Sequence, residues 1–432
     1  MTQASTPHCV YLHKTCPEHG IFCVPVWDAS RGGPPFATWS RPKSPSRPVR
    51  PGTAVDKGCP YDCGLCPEHG QHTCTGLVEV TQRCSMGCPV CYAAAGQCAE
   101  ADPSLDALDT RFAALHRASA GCNVQLSGGE PTERDDLPRI VALARRYAFG
   151  LLQLNTNGRR LALEPAYAVT LRKSGLDSVY LQWDGVSEDI FQHLRGQACL
   201  AWKQTALKHC LHAGLGVVLV ATLVRGVNTG EMGALLRWAL KQGAGVRGVH
   251  FQPMAAFGRC PWTAGEAPRF TLPELIHALE TQAPEFIKAG QLHPPGCEHS
   301  LCSCSAVYRR SEKGLECIPS GGCCEGKIAG EAAEGARKAK QFTALHWRGG
   351  EGTSAPQQAD PFSRFVAGAG VEQRFTVSAM AFQDTHSLDL DRVRGCCIHV
   401  VSDDGRLIPF CLYNLTSEEG LSLYRQGGGV KR

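Results

Sequence analysis

Between positions 59 and 92 the chain reads CPYDCGLCPEHGQHTCTGLVEVTQRCSMGCPVCY, seven cysteines in one short segment. So many thiols must be bridged, metallated or buried, and each outcome dictates a different fold. The whole chain has 24 cysteines in 432 residues. Its first residues, MTQASTPHCVYLHKTCPEHG, carry no charged stretch followed by an apolar run, and no apolar run approaches the roughly 18 residues of a membrane span. The expectation is a cytoplasmic, reducing environment in which metal or redox chemistry, rather than a disulfide framework, explains the thiols.

Spacing divides the seven into a quartet, Cys59-x3-Cys63-x2-Cys66-x7-Cys74, and a trio, Cys84-x3-Cys88-x2-Cys91. The intervening GLVEVT reads as a strand, and six or seven extended residues span roughly 20 Å, so two sites fit better than one. Four thiolates close a tetrahedral zinc or fully ligate a cubane cluster. Three leave one iron of a [4Fe–4S] cluster without a protein ligand, free to take a small molecule. Val90 and Tyr92 flank Cys91 with apolar surface that suits either core packing or the seat of a planar ring.

From residue 75 to 258 short β-branched or apolar runs alternate with amphipathic stretches, the rhythm of βα units around a parallel sheet. Six strands are expected, at 76–81, 123–128, 151–158, 178–185, 217–224 and 248–253. Between them DDLPRIVALARRY repeats Leu137, Ile140, Val141, Ala144 and Tyr147 at helical spacing, which marks core rather than function. Residues 31–57 are rich in Pro, Arg and Ser and suit a connector. Beyond Pro261 the rhythm fades, 328–360 reads as an inserted loop, and cysteines return near both ends of the final unit. The expected divisions are 1–57, 58–75, 76–262 and 263–432. Net charge is +4 with no basic cluster, so no nucleic-acid partner is expected.

In a parallel barrel ligands bind at the carboxyl ends of the strands. That mouth should hold the cysteine trio after the first strand and LSGGEPT after the second, where Gly128 and Gly129 permit close backbone approach and Glu130 supplies a carboxylate. It should also receive Asn155, Thr156 and Asn157, Gln182 and Asp184, Arg225 and Asn228, and Gln252. Taken singly, each of these is an ordinary turn or cap residue.

The Cys-x3-Cys-x2-Cys motif joined to GGE resembles the radical S-adenosylmethionine superfamily. The resemblance implies a partial (β/α)6 barrel of the α/β class, with cysteine-rich iron–sulfur extensions before and after it. It further implies a [4Fe–4S] cluster on Cys84, Cys88 and Cys91 whose open iron chelates S-adenosylmethionine, and reductive cleavage to a 5′-deoxyadenosyl radical. By the same resemblance Gly128, Gly129 and Glu130 meet the methionine part of the cofactor, Tyr92 lies beside it, and Asn155, Gln182, Asp184, Arg225 and Gln252 are candidates for the ribose and adenine.

The strings CPYDCGLCPEHGQHTC, QLNTNG, YLQWDGV, GLGVVLVATLVRGVN, RGVHFQPMAAFGR and CCIHVVSDDGRLIPFCLYN are similar to one archaeal group, the tetraether-lipid synthases and dihydropterin C-methyltransferases. That group implies an auxiliary cluster on Cys59, Cys63, Cys66 and Cys74, and a second from Cys297 and Cys302 with Cys396 or Cys397 and Cys411. Its members carry a rubredoxin-like iron near the start. Here only Cys9, Cys16, Cys23 and His19 remain to hold one. Cys304, Cys317, Cys323 and Cys324 are expected to be free structural thiols.

The resemblance implies a transferase that abstracts hydrogen from an unactivated C–H and forms a C–C bond, first on lipid alkyl chains in lipid biosynthesis, and alternatively by methylating a pterin or similar small molecule. A cobalamin motif is missing, since DTHSLD at Asp384 lacks the required glycine. A non-catalytic iron–sulfur or zinc scaffold would explain the cysteines but not the GGE turn. Expected partners are a small-molecule or lipid substrate, an electron donor such as flavodoxin or ferredoxin and, for a lipid, peripheral membrane contact.

Overall fold

The structure, a computed structural model, describes residues 3–5, 8–41, 43–47, 51–96, 101–311, 314–318, 330–349 and 374–425. Its centre is an eleven-stranded sheet. The strands are β1 (Thr75–Thr81), β2 (Asn123–Gly128), β3 (Leu152–Thr156), β4 (Ser178–Gln182), β5 (Gly216–Leu223), β6 (Val246–Pro253), β7 (Ser303–Ser311), β8 (Gly314–Ile318), β9 (Arg374–Met380), β10 (Ile398–Val401) and β11 (Leu407–Pro409).

Spatial order is β8-β7-β9-β6-β5-β4-β3-β2-β1-β10-β11. β9, β6, β5, β4, β3, β2, β1 and β10 run parallel. The edge pairs β7–β8 and β10–β11, and the junction of β7 with β9, are antiparallel. The six expected strands are β1 to β6. Among the described residues no hydrogen-bonded pairing joins β8 to β11, and β9 and β10 extend the parallel set to eight. Residues from the 263–432 segment thus complete the sheet of the 76–262 segment at both ends.

Parallel strands covered on both faces read as near-continuous apolar runs rather than alternations. β5, GVVLVATL, is buried at all but one position, and the helices that cover the sheet bring stripes of the same kind. Leu137, Ile140, Val141 and Ala144 are fully buried on the helix Leu137–Arg145, whereas Tyr147 lies beyond its end and bonds Asp109. Helix Leu272–Gln282 begins at a capping box of Thr271 and Glu274.

The stretch read as an inserted loop contains the helix Ala332–Trp347. Its AAEGARKAKQFTALHW is built largely from strong helix formers, which outweigh the single Gly335. That glycine has a packing role, because a Cβ there would overlap the carbonyl of Gly296. Cys98, Cys323 and Cys324 lie outside the described residues. Among the described residues no helix is long and apolar enough to cross a membrane.

Near the start, Gln3–Ser5, Cys9–Cys16 and Gly20–Asp28 form a separate antiparallel sheet. It does not gather its cysteines. Cys9 bonds Asp28, Cys16 lies 3.2 Å from Nδ1 of His19, and Cys23 lies 3.4 Å from Nε2 of His13.

Candidate active site

The loop that carries Cys88 and Cys91 is held by hydrogen bonds from two arginines. Cys91 and Arg259 exchange backbone bonds of 2.9 and 3.0 Å, Nε of Arg259 donates to the Cys88 carbonyl at 2.6 Å, and Nη1 of Arg195 donates to the Val90 carbonyl at 3.0 Å. Burial pushes the Cys84 thiol up to about 12 and raises that of Cys88. A thiolate there needs a cationic partner, which is the setting a metal centre supplies.

The GGE turn is locked to the same segment. The amides of Gly129 and Glu130 donate to the carbonyls of Thr81 and Arg83, both at 2.8 Å, so the end of β2 carries on against the exit of β1. Gly128 sits at φ +117°, and a Cβ on either glycine would overlap the carbonyl of Thr81 or Arg83. Glycine is therefore required by space as well as by conformation.

Glu130 is buried and accepts from the amide and hydroxyl of Thr132 at 3.0 and 2.7 Å, from Oγ1 of Thr156 at 2.7 Å and from the amide of Asn157 at 2.7 Å. Burial raises its carboxyl above the usual range, and these donors oppose the rise. Its bonds tie the ends of β2 and β3 into one wall.

These features line a cavity of about 800 Å³. Of the expected residues, Cys84, Cys88, Cys91, Tyr92, Gly128, Gly129, Glu130, Asn155, Gln182 and Gln252 lie on its wall. Tyr92 bonds Oγ of Ser127 at 2.9 Å, and its ring packs on Phe410 with centroids 5.5 Å apart. Asn155 donates to Gln125, and its buried Oδ1 has no hydrogen-bond partner among the described residues.

Asp184 and Arg225 are placed differently from the expectation. Asp184 is buried and accepts twice from Arg195 at 2.6 Å and once from the amide of Thr222 at 3.0 Å. Arg225 turns to Glu274 and the carbonyl of Arg269. Neither lines the cavity, because each is consumed by a neighbouring charge. Arg195 does line it. A buried acid on a strand end demands a cation, and that demand was the available signal for Arg195, eleven residues further on.

The quartet is also regrouped. Cys59 hydrogen-bonds Cys63, and both pack in a cluster with Phe257 and Phe410. Cys74 instead joins Cys297 and Cys397. The pairing of β10 with β1 causes this, since the register Ile398↔Thr75 sets Cys397 beside Cys74, whose amide donates to its carbonyl at 2.8 Å. Cys302 lies by the guanidinium of Arg392, Cys396 bonds the carbonyl of Ile398, and Cys411 accepts from the amide of Gln383.

Residues 78–239 match the family model described as the Radical SAM superfamily. The chain belongs to that superfamily, so it is an enzyme that works with a [4Fe–4S] cluster and S-adenosylmethionine. It is 32% identical over 456 aligned residues to a 7,8-dihydro-6-hydroxymethylpterin dimethyltransferase of Methanocaldococcus jannaschii, covering 94% of this chain and 88% of that protein. It is 30% identical over 198 residues to the GTP 3′,8-cyclase of Paenarthrobacter nicotinovorans, covering 45% of this chain and 55% of that one. Among solved structures, Streptococcus suis SuiB bound to the precursor peptide SuiA overlaps 49% of this chain and 45% of its own, with TM-score 0.41 and 12% identity.

Proposed function

We propose that Cys84, Cys88 and Cys91 hold the [4Fe–4S] cluster, that S-adenosylmethionine lies along the Gly128–Glu130 turn and Asn155, and that the substrate occupies the rest of the cavity. The observation that carries this reading is the shared wall: three half-buried thiols and a glycine turn, delivered by adjacent parallel strands, face one cavity. When bound, the cluster and cofactor supply a 5′-deoxyadenosyl radical. The protein's own part is to orient a C–H bond toward it and to exclude water.

The reaction proposed is formation of a C–C bond by methyl transfer to a carbon of a pterin-like molecule. The pterin dimethyltransferase, matched over 94% of this chain, supports it. Gln125, Gln252, His250 and Glu298 on the cavity wall offer polar groups to a heterocycle. A second reading, coupling of alkyl chains, is favoured by the apolar side chains of the same wall, Met254, Phe257, Val307, Met380, Phe382 and Phe410; peripheral membrane contact would belong with it. On either reading a flavodoxin or ferredoxin delivers the electron, and Cys59, Cys63 and Cys66, with Cys302, Cys396 and Cys411, are candidates to hold auxiliary clusters.

The deciding experiment compares extracts with and without the gene by mass spectrometry. Loss of methylated pterins with lipids unchanged supports methylation. Loss of bridged or paired long-chain lipids with pterins unchanged replaces it by coupling.

A further inference from the structure

Lys203, on the helix Leu200–His212, is completely buried. A lysine is almost never enclosed unless its ammonium is well bonded. The ammonium has three N–H groups, and it makes three hydrogen bonds: to the carbonyl of Asn157 at 2.8 Å, to the carbonyl of Gln182 at 2.9 Å and to Oε1 of the Gln182 side chain at 2.7 Å. The nitrogen also lies 4.7 Å from the centre of the Trp202 ring, a favourable contact for a cation.

Those bonds run to two different parts of the cavity wall. The amide of Asn157 donates to Glu130 in the GGE turn at 2.7 Å. The side-chain nitrogen of Gln182 donates to Asp184, which Arg195 clasps, and Arg195 reaches the Val90 carbonyl in the cysteine loop. Glu130, Asn157, Gln182 and Arg195 line the cavity; Lys203 is not on its wall but joins residues that are. The bond to Oε1 also fixes which way the Gln182 amide points. With its oxygen on Lys203 and one N–H on Asp184, the group it has left for a ligand is the second N–H, a donor. An apolar side chain of the same shape would fill the space without the cost of burying a charge. It would leave the Gln182 amide free to turn and would remove the link between the GGE turn and the cysteine loop.

We propose that Lys203 is a positioning residue for S-adenosylmethionine: it fixes the Gln182 amide as a hydrogen-bond donor to an acceptor atom of the nucleoside part, and it holds the GGE turn and the cysteine loop at one separation. Taking S-adenosylmethionine as the ligand rests on the placement of the cofactor proposed above, whereas the orientation of Gln182 does not. Burial lowers the Lys203 pKa to about 8; Asp184, Cys199 and Cys88 favour its charge and Arg195 opposes it. A neutral amine has two N–H groups for the three acceptors, so the hold slackens as pH rises through that value.

The test measures the Kd for S-adenosylmethionine by equilibrium dialysis, without reductant or oxygen, on the full chain carrying its cluster. The proteins are the wild type, Lys203→Met, Gln182→Leu and the double variant, each with its iron counted. Lys203→Met is expected to keep its iron and to weaken binding by about tenfold, the worth of one well-made hydrogen bond. Gln182→Leu is expected to weaken it similarly, and the double variant no more than either alone. The wild type is expected to lose affinity between about pH 7 and pH 9, and Lys203→Met to show no such loss. Binding by Lys203→Met as tight as that of the wild type overturns the role, and additive losses overturn the path through Gln182. Should Lys203→Met fail to take up iron, the pH profile of the wild type decides, a flat profile overturning the proposal. Absence of binding by the wild type would instead contradict the placement of the cofactor, and the role of Lys203 falls with it.

Discussion

Arg195 clasps Asp184 with two hydrogen bonds of 2.6 Å, and a third bond from its guanidinium, at 3.0 Å, reaches the Val90 carbonyl within the cysteine loop. The carboxylate side chain is 0% exposed and the guanidinium 8%. The pair therefore joins the end of β4 to the loop that carries Cys88 and Cys91. Removing one partner leaves an uncompensated buried charge, a loss of about 3–5 kcal/mol. Arg195→Leu should lower the urea midpoint accordingly, and adding Asp184→Leu should restore part of it, with an interaction term that a double-mutant cycle reads directly. Strictly additive losses would show that the two charges do not depend on each other.

Gly129 has no room for a side chain, since a Cβ would press on the carbonyl of Arg83, the residue just before Cys84. Gly129→Ala should displace the exit of β1 and the first cysteine with it. Misplacement by about 1 Å can cost on the order of a hundredfold in rate, so 5′-deoxyadenosine release should fall by at least tenfold. Iron content should drop less. Release at the wild-type rate would mean that the turn is not coupled to the cysteine loop.

Burial holds several histidines neutral, among them His250 with a pKa lowered to about 3 and His346 to about 4. Unfolded, both would titrate near 6.5. Below that pH the unfolded chain binds protons that the folded chain refuses, so the unfolded state gains and stability falls as pH drops from 6.5 toward 4. Each group contributes a slope of up to about 1.4 kcal/mol per pH unit, and neither contributes above pH 7 or so. Urea denaturation should show His250→Gln losing less stability than wild type over that interval. Parallel losses in the two proteins would contradict the assignment.

How much of this was legible in the sequence follows from how local each signal is. β5 announces itself as a near-continuous apolar run, β1 to β4 and β6 as short β-branched or apolar stretches that alternate regularly with amphipathic ones, and the trio and GGE turn follow two of them directly. β9 and β10 were not foreseen: RFTVSAM and IHVV are equally apolar, but no βα rhythm leads to them. Sequence spacing grouped Cys74 with its near neighbours, yet its partners are Cys297 and Cys397, the latter 323 positions away and brought close by strand pairing. Asp184 and Arg225 carry the right chemistry on the right strand ends. Only the fold reveals that each already has a partner.

The proposed radical chemistry stands or falls with Cys84, Cys88 and Cys91. The direct measurement is the yield of 5′-deoxyadenosine from S-adenosylmethionine under dithionite, without oxygen, by the wild type, Cys84→Ala and the triple alanine variant. Release by the wild type and loss to background in both variants is the predicted result. Undiminished release by Cys84→Ala would contradict the account.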